Sequence, residues 1–319
     1  MLSALTAIGP LFAVLAIGGM ASVSSRMRAI GPSLTVFVLT FALPAFLFNA
    51  VTSAPVREGI PWTFTAIAFG VTALMSTLTW VSGRLLGAGS GGVAAPLALA
   101  VGYGNVGYMG VPITLSVLGP EAGLAAAMGQ LIHNVMFMLG YPLARMLSPD
   151  RGGDVSVRKM LWTAARKAIL TNPVTLSVAA GVGVSLLGVR LPAMAVDTLE
   201  LVGQVAVPLA MFVVGLSLPT VGAGLRDGSV PRIPLAIGTA IKLLLLPVAT
   251  VAALAVLDPR MGQPWASTLI LMAAMPTSTT AFILSQQEDR DPRLVSGMIA
   301  TTSLLGVVTI PTVLALFVS

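Results

Sequence analysis

Polar side chains that could bind a substrate occur in two apolar stretches of this 319-residue chain. The stretch 102–112 contains Asn105 and several glycines before Pro112. The stretch 275–280 contains Pro276, followed by four hydroxyl-bearing residues. Glycine and proline weaken a helix, and amide and hydroxyl groups both donate and accept hydrogen bonds. The two stretches therefore predict interrupted helices that present polar groups to a ligand, although each hydroxyl could instead bond to its own helix.

Lys242 is the one basic residue well inside an apolar segment, 233–257. A charge in hydrocarbon is costly unless it faces a cavity or a partner, so a binding role is one interpretation. The alternative is a side chain that extends along the helix to the inner membrane surface. All eleven acidic residues lie in loops or near segment ends. Helix N-termini after the interruptions would also favour an anion, so a mono- or dicarboxylate is the predicted substrate.

The predicted binding residues come from these stretches and from Lys242. The set is Asn105, Gly107, Gly110, Pro112, Lys242, Pro276, Thr277, Ser278, Thr279 and Thr280. His133, Asn134, Asn49 and Gln204 are further candidates for lining the site or for coupling. His133 could accept a proton in anion–proton symport, but a neutral histidine bonded between helices is the favoured interpretation.

The composition places the chain in a bilayer, because 56% of its residues are hydrophobic and 9% are charged. Apolar stretches of about 20 residues can cross the hydrocarbon core as helices. Continuous apolar runs argue against a β-barrel. We predict ten spans, at about 3–22, 30–50, 62–86, 92–118, 121–147, 164–188, 196–218, 233–257, 264–286 and 294–318. The first is interpreted as a retained helix and not as a signal peptide.

Basic residues are concentrated in the loops on one side of these ten spans. Thirteen lie in alternate loops that include the long connection 148–163, and three lie in the opposite loops. This bias predicts that 148–163 is cytoplasmic and that both termini face outward, here across a bacterial inner membrane. The net charge of +6 is then explained mostly by the basic residues of the predicted cytoplasmic loops. No nucleic-acid partner is therefore expected.

The residues available for catalysis are few. The chain has no cysteine and one histidine, which excludes a thiolate metal site and a multi-histidine centre. We predict no metal, no cofactor and no enzymatic activity, because no nucleophile or acid pair lies inside the membrane. The glycine pattern at 102–107 resembles a dinucleotide fingerprint, but it lacks the strand and βαβ unit that such a site needs.

Two halves are predicted, 1–147 and 164–319, joined by the loop 148–163. Five spans in each half invert the second half relative to the first. Pro112 and Pro276 are 164 residues apart, and so are Pro44 and Pro208. This shared spacing predicts that spans four and nine are equivalent, as are spans two and seven. By themselves, Pro44 and Pro208 are best interpreted as ordinary helix kinks.

Three stretches, 104–112, 171–218 and 275–287, together resemble the auxin efflux carrier family, which includes bacterial malonate-type carriers and plant auxin exporters. The resemblance covers nearly the whole chain and places it in the bile-acid-symporter-like fold superfamily. By position, Asn105 and Pro112 match the fourth-helix motif, and Pro276, Ser278 and Thr279 match the ninth. The family often has a second asparagine after the ninth-helix proline, and hydroxyl residues stand here instead.

The resemblance implies an all-α fold of ten helices in two inverted repeats, with helices four and nine broken at prolines and crossing near the substrate. It also implies a scaffold of helices 1, 2, 6 and 7, a transport domain of helices 3–5 and 8–10, an elevator cycle and a homodimer. The predicted function is secondary active transport of a small organic anion, with proton or sodium coupling left open. A receptor or channel on this fold is the alternative, ahead of an intramembrane enzyme.

Overall fold

The structure is a computed structural model, and it describes residues 2–54, 56, 59–86, 93–146, 162–163, 166, 170–221, 225, 228, 230–286 and 293–318. Within these ranges the backbone is helical almost throughout and forms no strand beyond a single isolated bridge. The loop 148–163, which is central to the predicted orientation, lies almost entirely outside the described residues.

The described part of the first half contains seven α-helices. They are α1 (Leu2–Ala21), α2 (Ser25–Phe37), α3 (Leu43–Thr52), α4 (Trp62–Leu86), α5 (Ala94–Gly102), α6 (Val111–Leu118) and α7 (Gly123–Met146). The described part of the second half contains eight, which are α8 (Pro173–Leu187), α9 (Ala193–Gln204), α10 (Ala206–Val221), α11 (Arg232–Ala240), α12 (Leu246–Leu257), α13 (Gln263–Ala273), α14 (Thr279–Gln286) and α15 (Arg293–Phe317).

Five described helical stretches are long and apolar enough to cross a membrane. They are Ser25–Thr52, Trp62–Leu85, Ala193–Pro219, Arg232–Leu257 and Arg293–Phe317. Helix lies in each of the ten predicted ranges, but 92–118 and 264–286 are each divided into shorter pieces. A nearly all-helical polytopic membrane protein is therefore confirmed, while the count of ten spans and the inverted repeat stay predictions.

Three π turns each precede a proline by the same distance. They are Val38–Ala42 before Pro44, Val106–Gly110 before Pro112, and Ile241–Leu245 before Pro247. Proline lacks an amide donor, and its ring clashes with the carbonyl four residues earlier. In each case the residue before the proline donates to the carbonyl five residues back. The wider π turn therefore allows the helix to continue past the proline.

The first interruption lies at 103–105, so the prediction that the helix breaks at Pro112 is wrong. The helix α5 ends at Gly102, Tyr103 is extended, and Pro112 sits in the first turn of α6, where proline is tolerated. A side chain on Gly102 would clash with Ser76 and Phe137, which explains the glycine there. The second interruption, at 274–278, contains Pro276 as predicted.

We call the helices of predicted spans 1, 2, 6 and 7 the first helix group and the remaining helices the second helix group. In the first group, α1 packs along α10, and α3 packs against α8 and α9. In the second group, α4 packs against α5, α7 and α12, and α15 packs against α5 and α11. The two groups also contact each other, because α1 packs against α6 and α15, and α10 packs against α15. Their division into a scaffold and a transport domain stays a prediction.

Two glycines bring α1 and α10 into backbone contact. A Cβ atom on Gly18 would lie 2.2 Å from the carbonyl oxygen of Phe212, and one on Gly215 would lie 2.0 Å from that of Leu15. Both distances are far below van der Waals contact. Close approach through small residues is a principal source of helix association in membranes, so this crossing holds the first helix group together.

We expect Gly18→Ala to lower the melting temperature of the detergent-solubilised protein, because an added methyl group must push the two backbones apart at a cost of about 1–3 kcal/mol. Gly9→Ala in the same helix is the matched control, since a Cβ atom there meets nothing within 4 Å. Equal melting temperatures for the two variants would show that α1 and α10 are not in contact.

Candidate functional site

The two interrupted segments meet through their backbones. The N–H of Asn105 donates to the carbonyl of Pro276 at 2.7 Å, and the N–H of Ser278 donates to the carbonyl of Tyr103 at 2.8 Å. These bonds flank an antiparallel bridge between Gly104 and Thr277. We call this arrangement the backbone pairing. It satisfies amides and carbonyls that the breaks release from the helices.

The prolines of the two predicted equivalent spans are placed differently relative to the pairing. Gly104 lies opposite Thr277, and the carbonyl of Pro276 accepts from Asn105 within the pairing. Pro112 lies two residues beyond the π turn and takes no part in the pairing. This contact does not test the equivalence of spans four and nine, which stays a prediction.

Thr277 holds the second break against two neighbouring helices. Its Oγ1 donates to the carbonyl of Ala100 at 2.8 Å, and its N–H donates to Oγ1 of Thr302 at 3.0 Å. The hydroxyl of Thr302 in turn donates to the carbonyl of Met298 at 2.6 Å. Thr277 is fully buried. Its hydroxyl thus braces the backbone pairing and does not bond back to its own helix.

The next hydroxyls begin α14. Oγ of Ser278 accepts a hydrogen bond from the N–H of Thr280 at 3.2 Å, which is the arrangement of a helix N-cap. Ser278 is buried. Thr279 lines a cavity that is described below. Of the four predicted hydroxyl residues, Thr277 therefore braces the pairing, Ser278 caps α14, and Thr279 and Thr280 are half-buried in its first turn.

Asn105 lies at the start of the opposite half-helix and is buried. Its backbone carbonyl accepts from the N–H groups of Met109 and Gly110 at 3.0 and 3.1 Å. Its side-chain Oδ1 is buried and finds no donor among the described residues. Leaving a buried acceptor unsatisfied costs about 1–3 kcal/mol. This acceptor can take a hydrogen bond from water, whereas a carboxylate could accept only from the side-chain Nδ2 of Asn105.

Lys242 faces the backbone pairing, as the cavity interpretation predicts. The side chain is 1% exposed, and a Cβ atom on Gly104 would lie 3.0 Å from its Nζ. A lysine that extended to the membrane surface would keep its amine in water. That alternative is wrong, because the amine lies against the first break.

The cavity at Lys242 is small. Its volume is about 40 Å³, and Gly102, His133 and Lys242 are among the residues that line it. One water molecule occupies about 30 Å³ in the liquid. The cavity therefore has room for roughly one water and is too small for a dicarboxylate.

His133 borders the same cavity, as predicted. Its ring stacks on Tyr103 with centroids 5.1 Å apart and lies 5.0 Å from the ring of Phe137. The imidazole also interacts with the backbone of Gly104. Its Nε2 is buried without a partner among the described residues. The aromatic stack fixes His133 beside the first break.

Gln130 is a site residue that the sequence analysis missed. Its Nε2 donates to Oδ1 of Asn134 at 3.0 Å, while its buried Oε1 finds no donor in the described part of the chain. A Cβ atom on Gly107 would lie 3.1 Å from both terminal atoms of this amide. Residues 130, 133 and 134 share one face of a helix, and that spacing is the signal that could have identified Gln130.

A larger cavity of about 440 Å³ lies between the two helix groups. Tyr108 and Thr279 line it from the interrupted segments, while Arg28, Thr35 and Ser217 line it from α2 and α10. This volume is in the range of small-molecule sites. The cavity therefore reaches the start of α14.

Asn49 and Gln204, which were predicted as further candidates for lining the site, lie together in a different cavity. That cavity measures about 690 Å³ and lies at the ends of α3, α8 and α9. Gln204 Nε2 donates to Oε1 of Glu200 at 3.3 Å. None of the residues that line this cavity belongs to the two breaks, because α3 and α9 pack in the first helix group.

Comparison with known proteins identifies the family of this chain. The family described as "Membrane transport protein" matches residues 3–314, which is nearly the whole chain. The chain belongs to this family. It is the auxin efflux carrier family that the sequence motifs predicted.

Three relatives show the range of the family. A protein of Rhizobium meliloti (strain 1021) named "Putative malonate transporter" is 30% identical over 87% of this chain and 84% of its own length. "Uncharacterized transporter YfdV" of Escherichia coli (strain K12) is 26% identical over 86% and 84%. An "Uncharacterized transporter" of Methanothermobacter thermautotrophicus is 26% identical over 86% and 85%. All three are named as transporters.

We expect Asn105→Leu to abolish the thermal stabilisation that a bound carboxylate gives, because the side-chain amide at the break is lost. The Nδ2 group of Asn105 can donate to a carboxylate, and losing one hydrogen bond to a charged group weakens binding about 10- to 100-fold. A panel of small carboxylates, tested by differential scanning fluorimetry, measures the shift.

Two further variants control this experiment. Asn105→Asp keeps the shape of the side chain and should also remove the shift, because a carboxylate repels an anion. Asn49→Leu changes the other cavity and should retain it. A preserved shift in both Asn105 variants would place the ligand away from the breaks.

Proposed function

We propose that this protein is a secondary active transporter that carries a small organic anion by alternating access. The observation that supports the proposal most strongly is the backbone pairing of two interrupted helices, with the amine of Lys242 beside it. Interrupted helices at membrane depth are characteristic of transporter binding sites. Unwound backbone is tolerated there only when it is buried in protein or lines a cavity.

The preference for an anion follows from the charges at the breaks. The half-helices that begin at Val106 and Thr279 direct the positive ends of their dipoles toward the pairing. Lys242 adds a cationic group beside Gly104. Such helix starts bind carboxylates and phosphates through free N–H groups. A carboxylate is therefore the substrate class that this electrostatic field favours.

Within that class we propose a small mono- or dicarboxylate, with malonate as the first compound to test. One relative, 30% identical, carries malonate transport in its name. The 440 Å³ cavity has room for such an acid beside Thr279 and Tyr108. Hydroxyl groups at these positions can donate hydrogen bonds to carboxylate oxygens.

We propose an elevator cycle in which the two helix groups move relative to one another. The backbone pairing, Lys242 and His133 all belong to the second group, so they would move together as one transport domain. The first group, in which α1 and α10 are locked by Gly18 and Gly215, would serve as the scaffold and as the contact surface of a homodimer. A substrate in the 440 Å³ cavity would lie between the two.

We also propose that both termini face the periplasm across the inner membrane, in agreement with the distribution of basic residues. The chain has no cysteine, so single cysteines report topology without background. A membrane-impermeant maleimide should label Gly262→Cys in intact cells and Ser24→Cys only after the inner membrane is permeabilised. The reverse pattern would invert the topology.

Counterflow in liposomes tests the transport proposal. The wild-type protein should exchange malonate with saturation, and Lys242→Gln should lower the initial rate by about tenfold or more, because losing about 1.4 kcal/mol of favourable interaction corresponds to tenfold. The reason is that the variant removes the buried cationic group next to the pairing.

Arg232→Gln is the matched control, since it removes an exposed cation from the start of the same predicted span. Its counterflow should equal that of the wild type. Undiminished counterflow in Lys242→Gln would refute the role of Lys242. A current that does not saturate would indicate a channel, and binding without flux would indicate a receptor.

A further inference from the structure

The two sides of the backbone pairing differ in how much space they offer. On one side, Lys242 and His133 border a cavity of about 40 Å³. On the other, Tyr108 and Thr279 border a cavity of about 440 Å³. The first has room for about one water. Direct contact between a carboxylate and a cationic side chain therefore needs a cation on the second side.

Arg28 is that cation. It lines the 440 Å³ cavity from the first turn of α2, and among the described residues it is the one charged side chain in the lining. Its Nη1 donates to the carbonyl oxygens of Ser22 and Val23, in the turn between α1 and α2. These two bonds orient the planar guanidinium, which has five N–H donors in all. A guanidinium can bind both oxygens of one carboxylate through two parallel N–H groups.

Tyr108 borders this cavity as well. The residue is 7% exposed, and its hydroxyl interacts with the side chain of Thr35, which lines the same cavity. A phenol hydroxyl both donates and accepts hydrogen bonds, so it can also donate to a carboxylate oxygen. Thr279 lines the same cavity at the first turn of α14, where free amides also favour an anion.

We infer that the 440 Å³ cavity binds a small dicarboxylate at both ends, with Arg28 holding one carboxylate and Tyr108 and Thr279 holding the other. This inference rests on the proposed transport of an organic anion and specifies how the anion is held. Arg28 belongs to the first helix group, whereas Tyr108 and Thr279 belong to the second. A dicarboxylate would therefore bridge the two groups, and a monocarboxylate would contact one of them.

Isothermal titration calorimetry on the purified full-length protein tests the inference, with malonate and acetate as probes. Arg28→Gln should weaken malonate binding at least tenfold and leave acetate binding within about twofold, because Arg28 holds the second carboxylate. Arg28→Lys should retain part of the malonate affinity, since lysine keeps the positive charge but lacks the planar guanidinium with its paired N–H donors. Tyr108→Phe should weaken the binding of both acids.

Arg26→Gln is the matched control, because Arg26 lies in the same helical turn and does not line the cavity. It should bind malonate as the wild type does. Equal malonate affinities for Arg28→Gln and Arg26→Gln would overturn the inference, and so would equal losses of malonate and acetate binding in Arg28→Gln. Wild-type protein that binds malonate without transporting it would contradict the transport proposal while leaving the binding site in place.

Discussion

The structure depends on two backbone hydrogen bonds, from Asn105 to Pro276 and from Ser278 to Tyr103. In hydrocarbon, an amide or carbonyl that leaves its helix costs several kcal/mol unless something else satisfies it. Here each break supplies the partners that the other lacks. Neither break would be stable alone at that depth, so the two halves of the chain must associate for either to persist. Thr277 strengthens this association through Ala100 and Thr302.

The pairing also separates two functions that a binding site needs. Its closed side contains Lys242 and the aromatic stack around His133, with space for little more than a water. Its open side faces a cavity lined by Tyr108 and Thr279. In the proposed mechanism, the closed side supplies a fixed positive field and the open side supplies hydrogen bonds to a substrate. When the second helix group moves, Lys242 and the hydroxyl groups of Tyr108 and Thr279 would move together.

Much of this arrangement could be predicted from the sequence, because apolar length, buried charge and clustered hydroxyls are local signals. Pro276 marked the second break correctly, and Lys242 was singled out as a buried cation. The first break was misplaced because the π turn at Val106–Gly110 accommodates Pro112, and a proline in the sequence does not show whether a helix breaks there or continues through a wider turn. Asn49 and Gln204 lie away from the breaks because of how the helices pack. The hydrophobic periodicity of the sequence does not show this packing.

The most direct measurement of this architecture is a cryo-electron-microscopy structure of the protein in lipid nanodiscs with saturating malonate. We predict non-helical backbone at 103–105 and 274–278, joined by the two hydrogen bonds, and ligand density in the cavity beside Thr279 and Arg28. A continuous helix through 103–105 would contradict the pairing. Ligand density confined to the cavity around Asn49 and Gln204 would contradict the site.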